Sequence, residues 1–471
     1  RDRAAAEGST FRDRAAAILE RPQVASAIGR AMDLRALRRS AVFEGADLSS
    51  MRAAGEAIRA HTVADLPRYL EAFADAAERR GTRVFFAADA AEAVAYVLEV
   101  VRRNGVRQVV KGKSMVSEEL GLNAVLEAQG VEVTETDLGE FIVQLAHEPP
   151  AHITVPAVHM TRTQIRDLFN RELDAGVTDE PTELTHAARR ILRERFLTAD
   201  LGITGVNFAV AETGSLVIVT NEGNGRMCTS LPRVHVALLG MERLVPSFRE
   251  LSVLLPLLTG SATGQRITAY VNVITGPSTA GELDGPEELH VVVVDNGRSA
   301  ILGTEYRSVL HCIRCGACQN VCPVFRHVGG HAYGGTYGGP IGAVLEPLLE
   351  GFDRAGDLPH ASSLCAACTE VCPVNIPLHR HLVSLRRDVA AARPPFGERA
   401  AFRLWGRLWG SERGYRWTAR IGRLAQRAFV RRGWIRRAPF PLSRWTAGRD
   451  LPPLAAEPFH DRWARRQRRG S

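Results

Sequence analysis

The apolar positions of this chain change period along its length, and each change marks an element. From residue 1 to about 80 the pattern is helical, with Leu66, Tyr69, Leu70 and Phe73 recurring at three- and four-residue intervals. RVFFAAD (83–89) then reads as a buried strand. AEAVAYVLEVVRRNG (91–105) reads as a helix stopped by Asn104-Gly105. RQVVK (107–111) is a second strand. Ser114 caps a helix running from about 115 to 128, Gly130 closes it, and VEVTET (131–136) is a third strand. Strands alternating with helices at this spacing predict a parallel α/β sheet.

HITV (152–155) precedes a helical stretch over about 161–198. GVNFAVAETGSLVIVTNEGNGR (205–226) reads as two strands around a Thr213-Gly214 turn, followed by a Gly/Asn loop. VHVALLG, RITAYVNVIT and LHVVVVD add strands. The expected organisation is a helical region over 1–60, an α/β domain over 61–300, a cysteine domain over 301–390 and a C-terminal extension over 391–471. Only the two cysteine motifs repeat. The longest apolar run, Leu251–Leu258, contains Pro256 and falls short of the roughly 18 residues a membrane span needs. No secretory signal is visible, so the expected location is cytoplasmic.

Composition adds two asymmetries to an ordinary globular average of 45% apolar and 24% charged residues. Of 60 basic residues only Lys111 and Lys113 are lysine. Residues 401–471 hold 18 Arg against four acidic residues, a net charge of +14 in a chain of +8, and all six Trp. Arg interleaved with Trp (RLWGRLWGSERGYRW) suits docking on a partner or peripheral contact with an anionic membrane. Nucleic acid ranks lower as a target, because no nucleic-acid fold accompanies the tail.

Seven of the eight Cys fall between 312 and 372, which points to a metal site rather than disulfides. CIRCGACQNVCP has the C-x2-C-x2-C-x3-C-P spacing of bacterial ferredoxin-type clusters. Three thiolates on a tight turn wrap three corners of a cubane, and the fourth points to a different cluster. SSLCAACTEVCP repeats the motif with Ser362 in place of the first Cys. The crossed pattern assigns Cys312, Cys315, Cys318 and Cys372 to one complete [4Fe–4S] cluster. Cys322, Cys365 and Cys368 remain for a second, either [3Fe–4S] or [4Fe–4S] with Ser362, a nearby His or an outside ligand completing it. Cys228 in GRMCTS reads as a small buried residue. The Gly-dense RHVGGHAYGGTYGGPIG (326–342) permits close backbone approach to a bulky inorganic group.

Lys111 falls at the carboxyl end of a predicted parallel strand, where ligands of such sheets bind, and Ser114 opens the next helix. Lys111, Lys113 and Ser114 are therefore the candidate site for a small anion such as a carboxylate. Glu212, Thr213, Asn221, Glu222 and Asn224 are weaker candidates, since polar residues in turns usually just form the turn. No GxGxxG strand–helix fingerprint is present, so no dinucleotide site is assigned.

CIRCGACQNVCPVFRHVGGHAYGGTYGGPIG followed by LCAACTEVCPV resembles the lactate utilization protein B family of iron–sulfur proteins with an N-terminal LUD domain. VVKGKSMVSEELGLN, GVNFAVAETGSLVIVTNEGNGR and ITGPSTAGELDGPEELHVVVVDNGRS resemble that domain. The likeness covers about residues 60–390. It implies a NagB/RpiA-like α/β fold, a mostly α-helical ferredoxin-type domain and seven cluster cysteines. It further implies a role in oxidising L-lactate to pyruvate beside a cysteine-rich CCG-domain protein and a smaller LUD protein. The expected function is an iron–sulfur electron-transfer subunit. The alternative is a LUD-type enzyme acting on another small carboxylate or phosphorylated anion, with structural clusters.

Overall fold

Runs of Val, Leu and Ile without polar interruption suit strands buried on both faces, and a parallel sheet covered by helices buries both. The computed structural model describes residues 9–392, 396–440 and 442–469, and contains such a sheet. Its strands are β1 (Arg83–Ala87), β2 (Gln108–Lys111), β3 (Glu132–Glu135), β4 (Leu201–Gly205), β7 (Val234–Gly240) and β10 (Glu288–Val294). They lie in the order β1-β10-β7-β4-β2-β3 and every neighbouring pair is parallel. β7 sits inside the sheet and buries every residue it has.

β4 departs from the expected pattern, in which a strand begins only at Gly205. Leu201–Gly205 pairs with both β2 and β7, while Gly202 and Thr204 interrupt its apolar run. Gly202 is there for space: a Cβ would lie 1.9 Å from the Cys228 carbonyl oxygen of the helix Asn224–Ser230.

A second sheet has the order β8-β5-β6-β9, with β5 (Phe208–Val210), β6 (Ser215–Thr220), β8 (Leu244–Val245) and β9 (Tyr270–Ile274). β5 and β6 form the antiparallel hairpin expected around Thr213-Gly214. Of RITAYVNVIT only Tyr270–Ile274 is a strand, and it pairs with β6 rather than joining the main sheet. The helical stretch over 161–198 is two helices, Arg162–Glu172 and Pro181–Thr198. Pro181 restricts the residue before it to extended conformations, so the second helix starts there.

The N-terminal helical pattern forms Phe11–Leu19, Pro22–Val42, Leu48–Ala64 and Leu66–Glu78; its first eight positions lie outside the described residues. Ile28, Met32 and Val63 from these helices share one apolar core with Phe325, Val328 and Leu345 of the cysteine region. The cysteine region itself is built of short helices, among them Ala317–Val321, Pro323–Val328, Gly339–Leu349 and Ala367–Val371.

The chain divides into two compact units, one through Val389 and one from Ala390. The second contains the helices Phe396–Trp409, Glu412–Ala425 and Phe459–Arg469. None of its described residues is buried. Among the described residues no helix is long and apolar enough to cross a membrane.

Candidate functional site

The carboxyl ends of β2, β3, β4 and β7 open onto a cavity of about 280 Å³. Lys113 and Ser114 line it from the segment after β2, Asp137 from that after β3, Thr204 and Gly205 from β4, and Glu242 and Arg243 from the turn after β7. Gly205 forms a close wall: a Cβ there would meet Ser114 Cβ at 2.9 Å. Arg35 reaches in from the helix Pro22–Val42, and Arg314 and Tyr337 from the cysteine region. Among the lining residues Arg35, Lys113, Arg243 and Arg314 face the carboxylates of Asp137, Glu222 and Glu242. Such a mixed, cation-rich pocket suits a small anion that also carries a hydroxyl or a proton to exchange.

The two lysines do different things. Lys111 Nζ is fully buried and bonds to Ser117 Oγ and Glu118 Oε1, each at 2.8 Å, and to Glu135 Oε1 at 2.7 Å. It is not among the residues lining the cavity. Burial alone would push its ammonium down, but Glu118, Glu135 and Glu140 outweigh burial and raise it. Lys111 is thus committed to protein partners, a correction to its place beside Lys113 as a ligand group. Lys113 is half-buried on the cavity wall, with Nζ 2.8 Å from Asp137 Oδ2. Burial again acts to lower it, and Asp137, Glu140 and Glu222 hold it charged.

Ser114 also lines the cavity, but its Oγ accepts the Ser117 amide at 3.1 Å as the cap of its own helix. That helix is only Met115–Glu119; Gly121, at φ +63°, breaks the expected 115–128 helix and starts a second one, Leu122–Ala128. Of the weaker candidates, Asn221, Glu222 and Asn224 line the cavity, and Glu212 and Thr213 do not. Burial and Asp137 push the Glu222 carboxyl up. Cys228 is buried, and burial pushes its thiol up to about 12, as suits an inert packing residue.

The seven remaining cysteines gather in two adjoining groups. Cys315 lies close to Cys312 and Cys372, and Cys318 close to Cys312, Cys315 and Cys372. Cys322 neighbours Cys365, and Cys368 neighbours both. Cys318 and Cys368 bring the groups together. A small cavity is walled by Cys312, Cys315, Cys318 and Cys372, with Ile153, Ile341 and Ile376 closing it. Burial and neighbouring thiols push Cys315 up to about 12 and Cys368 to about 11, and burial does the same to Cys372, at about 11. Thiols held this way ionise only against an added positive charge, which iron supplies. The Tyr333 hydroxyl is buried beside Cys322 and Cys318, where its proton is aimed at the Cys322 sulfur. A sulfide or thiolate would accept from it. The donor set therefore fits iron–sulfur clusters.

Arginines from far along the chain hold these loops. Arg52 Nε donates to Cys372 O at 2.8 Å, Arg39 Nη2 to Val371 O at 3.2 Å and Arg243 Nη1 to Cys312 O at 2.9 Å. Buried Arg59 donates to the carbonyls of His311, Leu310, Leu244 and Glu242. The Gly-rich segment packs on the first cysteine turn: Gln319 Nε2 donates to Gly338 O at 2.9 Å, and a Cβ on Gly339 would lie 2.7 Å from Gln319 Cγ. Arg314 lies 4.4 Å over the Tyr337 ring and 3.3 Å from Glu242. Arg314 and Ile153 line both the sheet-edge cavity and the four-cysteine cavity, so the two share a wall. Sequence reasoning missed all of these arginines, since 58 Arg leave none of them conspicuous.

Comparison with known proteins agrees with this arrangement. Family models match a LUD domain over residues 70–294, a 4Fe-4S dicluster domain over 308–376 and a lactate utilisation protein B C-terminal region over 384–468. Lactate utilization protein B of Bacillus velezensis is 48% identical over 457 residues, covering 96% of each chain. That of Bacillus subtilis is 48% identical over 461 residues, covering 97% of this chain and 96% of its own. A solved duf162 family structure from Deinococcus radiodurans aligns at 15% identity over 49% of this chain and 98% of its own, with a TM-score of 0.28, too low to bear on the fold. With a LUD domain, an iron–sulfur domain and a matching C-terminal region in one chain, and relatives at this identity across nearly its full length, the chain belongs to the lactate utilization protein B family.

Proposed function

We propose that this chain acts in lactate utilization as the iron–sulfur electron-transfer subunit of a complex that oxidises L-lactate to pyruvate. The observation that carries this is the shared wall: Arg314 and Ile153 border both the cation-lined cavity and the four-cysteine cavity. The names of the relatives support the pathway. Converting the hydroxyl of lactate to a ketone releases two electrons and two protons. In this reading Cys312, Cys315, Cys318 and Cys372 hold one [4Fe–4S] cluster, and Cys322, Cys365 and Cys368 hold a second. When bound, each cluster takes or gives one electron, so the pair suits a two-electron donor.

The chain's own residues bind and orient. Lys113 and Arg35 attract the carboxylate, and Arg314 sets a fixed positive charge between the anion and the cysteine cavity. Glu222, whose carboxyl burial pushes up, is placed to hold a proton. If a flavin or quinone passes the electrons from pairs to singles, it would belong to a partner, since this chain shows no dinucleotide fingerprint. The partners proposed are a CCG-domain protein and a smaller LUD protein.

The test is anaerobic mixing of the purified chain with lactate, with and without those two partners. Cluster absorbance is expected to bleach only when all are present. Glu222 beside Lys113 also favours a second reading, an enzyme that itself transforms a small carboxylate or phosphorylated anion. Turnover of such an anion by the chain alone, without a change in cluster oxidation state, would select that reading instead.

A further inference from the structure

The two cysteine turns repeat each other at a spacing of 50 residues, beyond the cysteines themselves. Cys315, Cys318 and Cys322 correspond to Cys365, Cys368 and Cys372, and Cys312 corresponds to Ser362. The backbone repeats with them. Arg314 and Leu364 have φ of 59° and 55°, and Gly316 and Ala366 have φ of 73° and 66°. Leu364 and Ala366 hold a left-handed conformation that their side chains disfavour, so the second turn keeps the shape of the first at a cost. Each turn leads into a five-residue helix, Ala317–Val321 and Ala367–Val371, and each helix ends on a Cys with ψ of 118° and 121° respectively.

The ligand atoms repeat as well. The Arg314 amide donates to Cys312 Sγ at 3.4 Å, and the Leu364 amide donates to Ser362 Oγ at 3.1 Å. The difference is what the smaller radius of oxygen requires. At the other end both last cysteines accept a following amide, Cys322 from Phe325 three residues on at 3.5 Å and Cys372 from Ile376 four residues on at 3.4 Å. Arg386 ties the serine turn down by donating to the carbonyls of Pro359 and Ser362, at 2.9 and 3.0 Å. A serine bonded to the amide two residues on is a common local turn. That habit explains the Ser362 bond, but not a non-glycine turn that repeats both left-handed positions and the following helix of a cluster-binding one.

We infer that Ser362 Oγ is the fourth protein ligand of the cluster held by Cys322, Cys365 and Cys368. This rests on the two-cluster reading above. Binding forms an Fe–O bond, breaks the serine O–H bond and releases the proton to solvent, with no change in oxidation state. Oxygen is a harder ligand than thiolate and favours the more oxidised iron, so Ser362 lowers the potential of this cluster relative to the same site with a cysteine.

The experiment uses the full chain, prepared anaerobically, as wild type, Ser362→Ala and Ser362→Cys, with iron analysis, EPR and redox titration. Wild type is expected to carry about eight irons per chain. Ser362→Ala is expected to fall to about seven, with a three-iron EPR signal appearing and the signal of the first cluster unchanged. Ser362→Cys is expected to keep all irons and shift the potential of the second cluster upward. If Ser362→Ala keeps its irons, spectrum and potential, the serine is not a ligand and the inference is overturned. Wild-type protein with iron for one cluster only would instead overturn the two-cluster reading, irrespective of the serine variants.

Discussion

Arg298 grips Glu119 with two hydrogen bonds of 2.8 Å, joining the segment after β10 to that after β2 across 179 residues of chain. Both are buried. Arg298 also bonds Glu242 at 2.7 Å, and the Tyr337 hydroxyl donates to Glu119 at 2.9 Å. The pair therefore fastens the Gly-rich segment of the cysteine region to the carboxyl edge of the sheet. Replacing Glu119 by Gln keeps the shape but leaves Arg298 short of a charge. A loss of about 2 kcal/mol in stability is expected, because two charge-assisted hydrogen bonds weaken while Glu242 still pairs Arg298. Chemical denaturation of Glu119→Gln against wild type measures it; a loss under about 1 kcal/mol would show that the pair is not a fastening.

The two lysines separate cleanly in a mutational test. Lys111→Met strands the buried carboxylate of Glu135 and is expected to destabilise the fold by about 3–5 kcal/mol. Lys113→Met removes a charge from the cavity wall and is expected to cost less, about 1–2 kcal/mol, because Asp137 keeps the amides of Gly139 and Glu140. Anion binding, read by calorimetry with lactate, should weaken roughly ten- to hundred-fold, the worth of one charge-assisted hydrogen bond. The reverse pattern, with Lys113→Met unfolding and Lys111→Met binding less, contradicts this division.

What was legible in the sequence follows from how local each signal is. The cysteine motif is contiguous, so its spacing alone carries the iron–sulfur chemistry, and a 4Fe-4S dicluster domain matches over 308–376. β7 and β10 show as unbroken apolar runs. β4 does not, because Gly202 makes room for a crossing helix and Thr204 bonds the buried His235 at 2.8 Å. Lys111 and Lys113 both fall at the end of β2 as expected. Which one faces the cavity depended on Glu135, a residue of the neighbouring strand. Arg59 is the clearest blind spot: its partners lie up to 252 residues away, and nothing local marks it.

His235 supplies a pH dependence. It is fully buried on β7, its Nε2 bonds Thr204, and burial lowers it from the usual 6.5 to about 3. The folded protein thus keeps it neutral where the unfolded chain protonates it. Its contribution is complete above pH 6.5 and is lost progressively as the pH falls toward 3. At pH 5 the loss from this one group is about 2 kcal/mol. His235→Gln should therefore lose less stability than wild type between pH 7.5 and 5, by about that amount. Equal losses in the two proteins would show that His235 does not contribute.

The second unit makes the last prediction. Trp405, Trp409, Trp417, Trp434, Trp445 and Trp463 are all between 46% and 61% exposed, far more than aromatic residues in a core. They stand among the arginines that give residues 401–471 their net charge of +14. Amphipathic helices with Trp and Leu on one side and Arg on the other bind at the interface of anionic bilayers. Full-length protein is expected to co-sediment with vesicles containing anionic lipid, weakly with neutral ones, and less as salt rises and screens the charge. A chain ending at Val389 should lose the binding yet keep its iron, because every cluster cysteine lies in the first unit. Equal sedimentation with neutral and anionic vesicles would remove the electrostatic basis. Loss of iron on truncation would make the second unit part of the cluster domain rather than a docking surface.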